Sequence, residues 1–280
     1  ERQSVTVVGW NLLVVGLTAP LVWYLLAVAH LGVLAPLAGG LAVQVVCGGI
    51  LVALTWSRWR WGGRSPFAPA MTWFGISSAG VGITYYILDS VDRGLIERYG
   101  TLSDVGVYSL GYKLGMAIHV LYIIPFSQIW SPMRMQYRGD PEAPLLLTHV
   151  LSYFVLLGLL FTVAVGLIAP EIVGLFSGHS GYEAAAAVIP VVMLAHLCYG
   201  VVNIVDFGLW IAERAHLAIV VYAAAAVLNV GLNVWFLPRE GAIAAAYVTL
   251  VSYLFVVIAT FRLSHRYVPM RMEGRVPVAV

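Results

Sequence analysis

The chain has 280 residues, of which 61% are hydrophobic and 10% charged, with a formal net charge of +2; its mean hydropathy is +0.91. Soluble domains carry about 25% charged residues, so the composition excludes an ordinary soluble domain, and so small a net charge gives no indication of nucleic-acid binding. The two cysteines, Cys47 and Cys198, stand in apolar runs without partner spacing and read as small buried hydrophobes, not as a disulfide or a metal pair.

A membrane-spanning helix needs about 20 apolar residues, and eight stretches qualify as candidates. In chain order they run from Ser4 to Ala29, Leu31 to Thr55, Phe67 to Leu88, Asp104 to Trp130, Leu145 to Ala169, Ala184 to Val205, Leu217 to Leu237 and Ala242 to Phe261. The last contains "AIAAAYVTLVSYLFVVIATF", with no charge at all. Core helices of a soluble protein would show a polar face, which most of these lack. Short connections predict antiparallel neighbours in an all-α bundle. The chain begins at Glu1, without the basic start and cleavage site of a signal peptide. A start other than Met suggests a piece of a longer chain.

Lys and Arg in short loops set orientation. One side holds Arg2, Arg58, Arg60, Arg64, Arg134, Arg138, Arg214, Arg262, Arg266, Arg271 and Arg275; the other holds Arg93, Arg98 and Arg239. Eleven against three predicts eight spans with both ends cytoplasmic. Trp56, Trp59, Trp61 and Trp130 cluster at span ends, where interfacial anchors belong.

The remaining cation, Lys113, lies inside the fourth span. About nine residues from the span's start is roughly 13 Å of depth, near the bilayer middle. That is too deep to snorkel, and insertion costs about 2.5–3.5 kcal/mol. Lys113 is therefore expected to face the bundle interior or a wet cavity. It is either a charge offered to an anionic substrate or a structural partner of an acid such as Asp206. Asp206, near the cytoplasmic end of the sixth span, is either an ion-coupling candidate or a cap for the next loop. Asp89, Asp92, Arg93, Glu97 and Arg98 read as a mixed-sign outer loop. Asn229 and Asn233, one turn apart, are expected to join helices by hydrogen bonds. Pro20, Pro36, Pro69, Pro125 and Pro190 mark kinks or breaks.

Several chemistries lack their residues. There is no G-x-x-x-x-G-K-[ST] loop, no H-E-x-x-H, no one-faced acid cluster and no Ser-centred nucleophile motif. Neither catalytic residues nor a metal site nor a cofactor is expected. The longest outer loop, about 15 residues, is short for a membrane glycosyltransferase or polymerase, although a membrane enzyme stays open as an alternative.

Three stretches resemble one family: Asp92-Arg93 followed by "VGVYSLGYKLG" (Val105 to Gly115) and Trp130-Ser131-Pro132; "VLNVGLNVWFLPREGAIAAAYVTLVSYL" (Val227 to Leu254); and "RYVPMR" (Arg266 to Arg271). They are similar, in the right order over roughly residues 30 to 270, to Wzx-type O-antigen flippases. These belong to the multidrug/oligosaccharidyl-lipid/polysaccharide exporter superfamily. The resemblance implies a MATE-like exporter fold in two lobes. Residues 1–64 would supply the last two helices of the N-terminal lobe and a basic linker, 65–263 a complete six-helix lobe, and 264–280 a basic cytoplasmic tail. On that plan the preceding helices are absent.

The resemblance also implies a transporter and no enzyme, at work in a bacterial or archaeal plasma membrane. Its cargo would be an undecaprenyl-diphosphate-linked oligosaccharide, with energy from an ion gradient. Polysaccharide polymerase and glycosyltransferases would be neighbours, and no nucleic acid is expected. Lys113, Arg93 and Asp92 become substrate-binding candidates, with Tyr108 and Tyr112 placed to stack on sugars or to pack the bundle. Other exporters of the superfamily, for drugs or a peptidoglycan precursor, remain alternatives.

Overall fold

The computed structural model describes residues 2–58, 67–178, 181–214 and 216–268. Trp59, Arg60, Trp61 and Arg64 of the basic linker, and Arg271 and Arg275 of the tail, lie outside the described residues. The described residues form helices and turns and no strands. The chain divides into two compact units, Glu1–Pro66 and Phe67–Val280.

The first unit is a helical hairpin of α1 (Arg2–Ala27) and α2 (Leu34–Thr55). The buried side of α2 is Ala35, Gly39, Val43 and Cys47, a small-residue stripe at spacing four. Such stripes bring apolar helices close where lipid supplies no hydrophobic drive. At Gly39 the approach is so tight that a Cβ would sit 2.8 Å from Val22 Cγ2. Cys47 is buried, Cys198 of the second unit is half-buried, and both are free thiols.

The second unit contains α3 (Ala68–Tyr99), α4 (Leu102–Gly115), a π-helical segment (His119–Ile123), α5 (Ile124–Gln136), α6 (Ala143–Leu167) and α7 (Ala169–Ser177). It continues with α8 (Ala185–Val205), α9 (Phe207–Ile211), α10 (Leu217–Glu240) and α11 (Ile243–His265). Helix α8 is the axis. It is apolar apart from His196 and Asn203, 14 of its 21 residues are buried, and it packs on α4, α6 and α11, while α10 packs on α3 and α11. Gly111 and Gly115 of α4 let α8 approach: a Cβ on Gly111 would lie 2.6 Å from the Ala185 carbonyl oxygen.

Six helical segments are long and apolar enough to cross a membrane: Leu34–Thr55, Leu102–Gln136, Ala143–Leu167, Ala185–Ile211, Leu217–Glu240 and Ile243–His265. They are the helices of a multi-pass membrane protein. The outward side of α6 fits lipid contact, with Leu156, Leu157, Leu160 and Val163 all exposed. The expected count of eight is not confirmed. In α1 the qualifying apolar stretch is the shorter Leu13–Ala27, and α3 carries Asp89, Asp92, Arg93, Glu97 and Arg98 over its last turns.

Two expectations about α3 and α4 need correction. The supposed loop after Leu88 is helix as far as Tyr99, because its period is helical: Leu88, Asp92 and Ile96 are buried in one stripe, while Glu97 and Arg98 are exposed. The fourth span is also not one regular helix. It starts with a capping box in which the Asp104 N–H donates to Thr101 Oγ1 (3.2 Å) and the Thr101 N–H donates to Asp104 Oδ2 (2.8 Å). It then widens at His119–Ile123, where the Ile124 N–H donates to the His119 carbonyl. Pro125 follows directly and has no N–H to give to the preceding turn, a known cause of such bulges.

Candidate functional site

The interior of the second unit is polar where α3, α4, α10 and α11 meet. Asp92 on α3 is 0% exposed. Tyr108 Oη of α4 donates to its Oδ2 at 2.7 Å, and Thr249 Oγ1 of α11 donates to the same oxygen at 2.7 Å. Asn233 Nδ2 of α10 donates to Oδ1 at 2.8 Å and to Asn229 Oδ1 at 3.0 Å. Four helices are thus tied through one carboxylate; of the asparagine pair, Asn233 makes the bond between helices, while Asn229 accepts from Asn233 within α10. Every donor is neutral. An isolated carboxylate is costly to bury unless it is paired or generously hydrogen-bonded, and here three hydrogen bonds hold it.

One turn earlier, Asp89 accepts a hydrogen bond from Tyr112 Oη. Arg93 does not pair with either acid. Its Nη1 donates to the Asp89 backbone carbonyl at 2.8 Å, and its guanidinium lies 4.6 Å from the centre of the Tyr112 ring. Tyr108 and Tyr112 are both 0% exposed. Their rings pack at 5.7 Å, so the sugar-stacking role suggested for them has no free ring face in this arrangement, and their hydroxyls serve the two aspartates. Trp130 is buried as well and donates its Nε1–H to the Asn203 carbonyl at 2.9 Å.

Lys113 was expected to face the bundle interior or a wet cavity. It is exposed, on the opposite side of α4 from Gly111 and Gly115, and makes no hydrogen bond or ion pair among the described residues. The proposed link to Asp206 is not made. Asp206 is bound instead by Arg134 of α5, whose Nη1 donates to Asp206 Oδ1 at 2.7 Å and to the Asn203 carbonyl at 3.0 Å. Arg134 also lies 4.7 Å over the Trp210 ring. Sequence alone placed Arg134 in a cytoplasmic loop; the structure buries it. Asp206 therefore has its counter-charge inside the fold.

Beyond Tyr112 lies an aromatic box that the sequence did not single out. His196 of α8 sits among Tyr112 (5.6 Å between ring centres), His119 (5.5 Å) and Tyr253 (6.1 Å). A lone histidine in "VVMLAHLCYG" carries no spacing signal. Thr249 was equally silent, one hydroxyl in a run of small residues. Among the described residues, no three His, Cys, Asp or Glu side chains converge as a metal set.

Comparison with known proteins adds one match. The family model described as "Polysaccharide biosynthesis protein" matches residues 11–187, more than half of the chain. The chain belongs to the polysaccharide biosynthesis protein family. The family-matched stretch contains Asp89, Asp92, Arg93, Tyr108, Tyr112 and Lys113, and ends at the start of α8. Asn233, Thr249 and His196, which complete the interior polar cluster, lie beyond it. No curated protein and no solved structure matches this family member.

Proposed function

We propose that the chain moves an undecaprenyl-diphosphate-linked oligosaccharide from the cytoplasmic to the outer leaflet of a bacterial or archaeal plasma membrane, driven by an ion gradient. The observation that carries this reading is the family match laid on a chain whose described residues are membrane-length helices joined by short turns. A polysaccharide role carried by spans alone is movement of the glycan, not its synthesis. Glycosyltransferases would supply the cargo and a polymerase would consume it. The excess of basic residues on one set of connections supports both ends on the cytoplasmic side.

Two cations suit the diphosphate. Lys113 is exposed and unpaired among the described residues. Arg93 is held by a ring and a carbonyl rather than by a carboxylate, so an anion could claim it without breaking a salt bridge. Charge-assisted pairing with phosphate oxygens is the strong kind of hydrogen bond. For ion coupling, Asp92 fits better than Asp206. Asp92 is a buried carboxylate whose partners are all neutral, so a proton or a monovalent cation arriving there changes the net charge of the bundle. Asp206 is already neutralised by Arg134.

The test is reconstitution. The full-length protein in liposomes should carry a fluorescent lipid-diphosphate-linked oligosaccharide to the leaflet shielded from a membrane-impermeant quencher, in an ion-gradient-dependent manner. Correctly inserted protein that leaves the lipid distribution unchanged, gradient or not, would sink the reading.

A further inference from the structure

Asn229 and Asn233 lie one turn apart on α10, and both are 0% exposed. Asn233 Nδ2 donates to Asp92 Oδ1 at 2.8 Å and to Asn229 Oδ1 at 3.0 Å, so a neutral N–H2 group stands between two oxygens. Among the described residues, Asn233 Oδ1 and Asn229 Nδ2 have no hydrogen-bond partner. Buried side-chain amides seldom leave an end unmet. Joining helices does not account for Asn229, which bonds only to Asn233 among the described residues.

The carboxylate calls for what the asparagines can supply. Tyr108 and Thr249 both donate to Asp92 Oδ2, which leaves Oδ1 to the asparagine pair. Among the described residues no basic side chain forms an ion pair with Asp92. One buried negative charge is matched by one positive charge; a divalent ion would leave the cluster charged inside the bundle. Hard cations take carboxylate and amide oxygens as ligands. Half a turn of the Asn233 amide exchanges its N–H2 for Oδ1. Asp92 Oδ1, Asn233 Oδ1 and Asn229 Oδ1 then line one small site, and the 2.8 and 3.0 Å gaps on either side of the amide suit a small ion over potassium.

We propose that Asp92, Asn233 and Asn229 form a sodium site. The Asn233 amide stands in for the ion in the unloaded site and turns its oxygen toward it on binding. Water completes the ion's shell. The proposal deepens the ion-coupling reading of Asp92 and rests on it. Loading neutralises the cluster while Tyr108 and Thr249 stay on Oδ2, so the junction of the helices persists in both states.

The experiment uses the full-length protein in lipid nanodiscs, with 15N-asparagine labelling. Side-chain N–H2 signals are followed by NMR as sodium chloride replaces choline chloride at constant ionic strength. The Asn233 and Asn229 signals, assigned by their loss in Asn233→Leu and Asn229→Leu, should move and saturate, while that of Asn203 stays in place. Asn229→Leu, which leaves the contact between Asn233 and Asp92 intact, should weaken sodium binding roughly tenfold. Signals that stay unmoved by sodium overturn the proposal, as does an equal response to potassium chloride or unchanged affinity in Asn229→Leu. The titration of the unmodified protein decides the matter even where a variant fails to fold. Sodium-blind amides in a protein that still carries the lipid-linked oligosaccharide overturn the sodium site and leave the transport reading standing. Sodium binding in a protein that moves no lipid does the reverse.

Discussion

Asn233 on α10 donates a 2.8 Å hydrogen bond to Asp92 on α3, across 141 residues of chain. With Tyr108 and Thr249 on the same carboxylate, that contact makes Asp92 the junction of four helices. One residue thereby serves two ends: its charge suits ion coupling, and its lone pairs hold the bundle together.

The two roles separate by substitution. Asp92→Ala leaves three buried donors unmatched and should lower stability by about 3 kcal/mol. Asp92→Asn keeps the shape and most of the hydrogen bonding, and should cost about 1–2 kcal/mol while abolishing gradient-driven transport. Unfolding in detergent measures the first effect and the liposome assay the second. Normal transport by Asp92→Asn would reduce Asp92 to a structural tie.

Lys113→Ala removes an exposed side chain that holds nothing within the fold. Its melting temperature should stay within about 2 °C of the parent, and export should fall at least tenfold if the ammonium meets the diphosphate. Full surface polysaccharide in a strain that depends on this variant would refute a cargo role for Lys113.

Arg134→Ala strands the Asp206 carboxylate and should cost about 3–5 kcal/mol, the usual loss when one partner of a buried pair is removed. Replacing both, Arg134→Met with Asp206→Leu, should recover most of that loss. A double-mutant cycle by denaturant unfolding reads the coupling. Additive losses would mean that the 2.7 Å contact contributes little.

Gly111→Val forces a side chain into the α4–α8 contact, where the first added carbon already meets the Ala185 carbonyl. Overpacking of this kind costs about 1–3 kcal/mol. Gly9, with nothing within 4 Å of its added carbon, is the matching control and should tolerate alanine. Equal melting temperatures for Gly111→Val and the parent would show that the two helices separate freely.

Hydropathy made the long helices legible, because composition alone decides what can lie in lipid. Five of the six spans agree with the sequence reading to within a few residues: Leu34–Thr55, α6, α8, α10 and α11. What hydropathy could not show was the direction of side chains. Charges at Asp89, Asp92 and Arg93 looked like solvent-facing loop residues, yet Asp92 points inward, because three neutral donors from distant segments compensate it. Arg134 was counted among loop cations for the same reason: its partner Asp206 lies 72 residues away. For Lys113, depth along a helix says nothing about which side it occupies; it stands exposed on α4. The resemblance to polysaccharide exporters, carried by short motifs near these same residues, agrees with the family match.

The wide turn at His119–Ile123 holds one residue more than a regular helix would. Absorbing that surplus would screw the lower half of the span round by roughly 100° relative to the upper half. Trp130 and Arg134 ride on that lower half, so both would leave the Asn203 carbonyl, and Asp206 would lose its cation. The extra residue therefore sets the angle at which Trp130 and Arg134 reach the Asn203 carbonyl and Asp206.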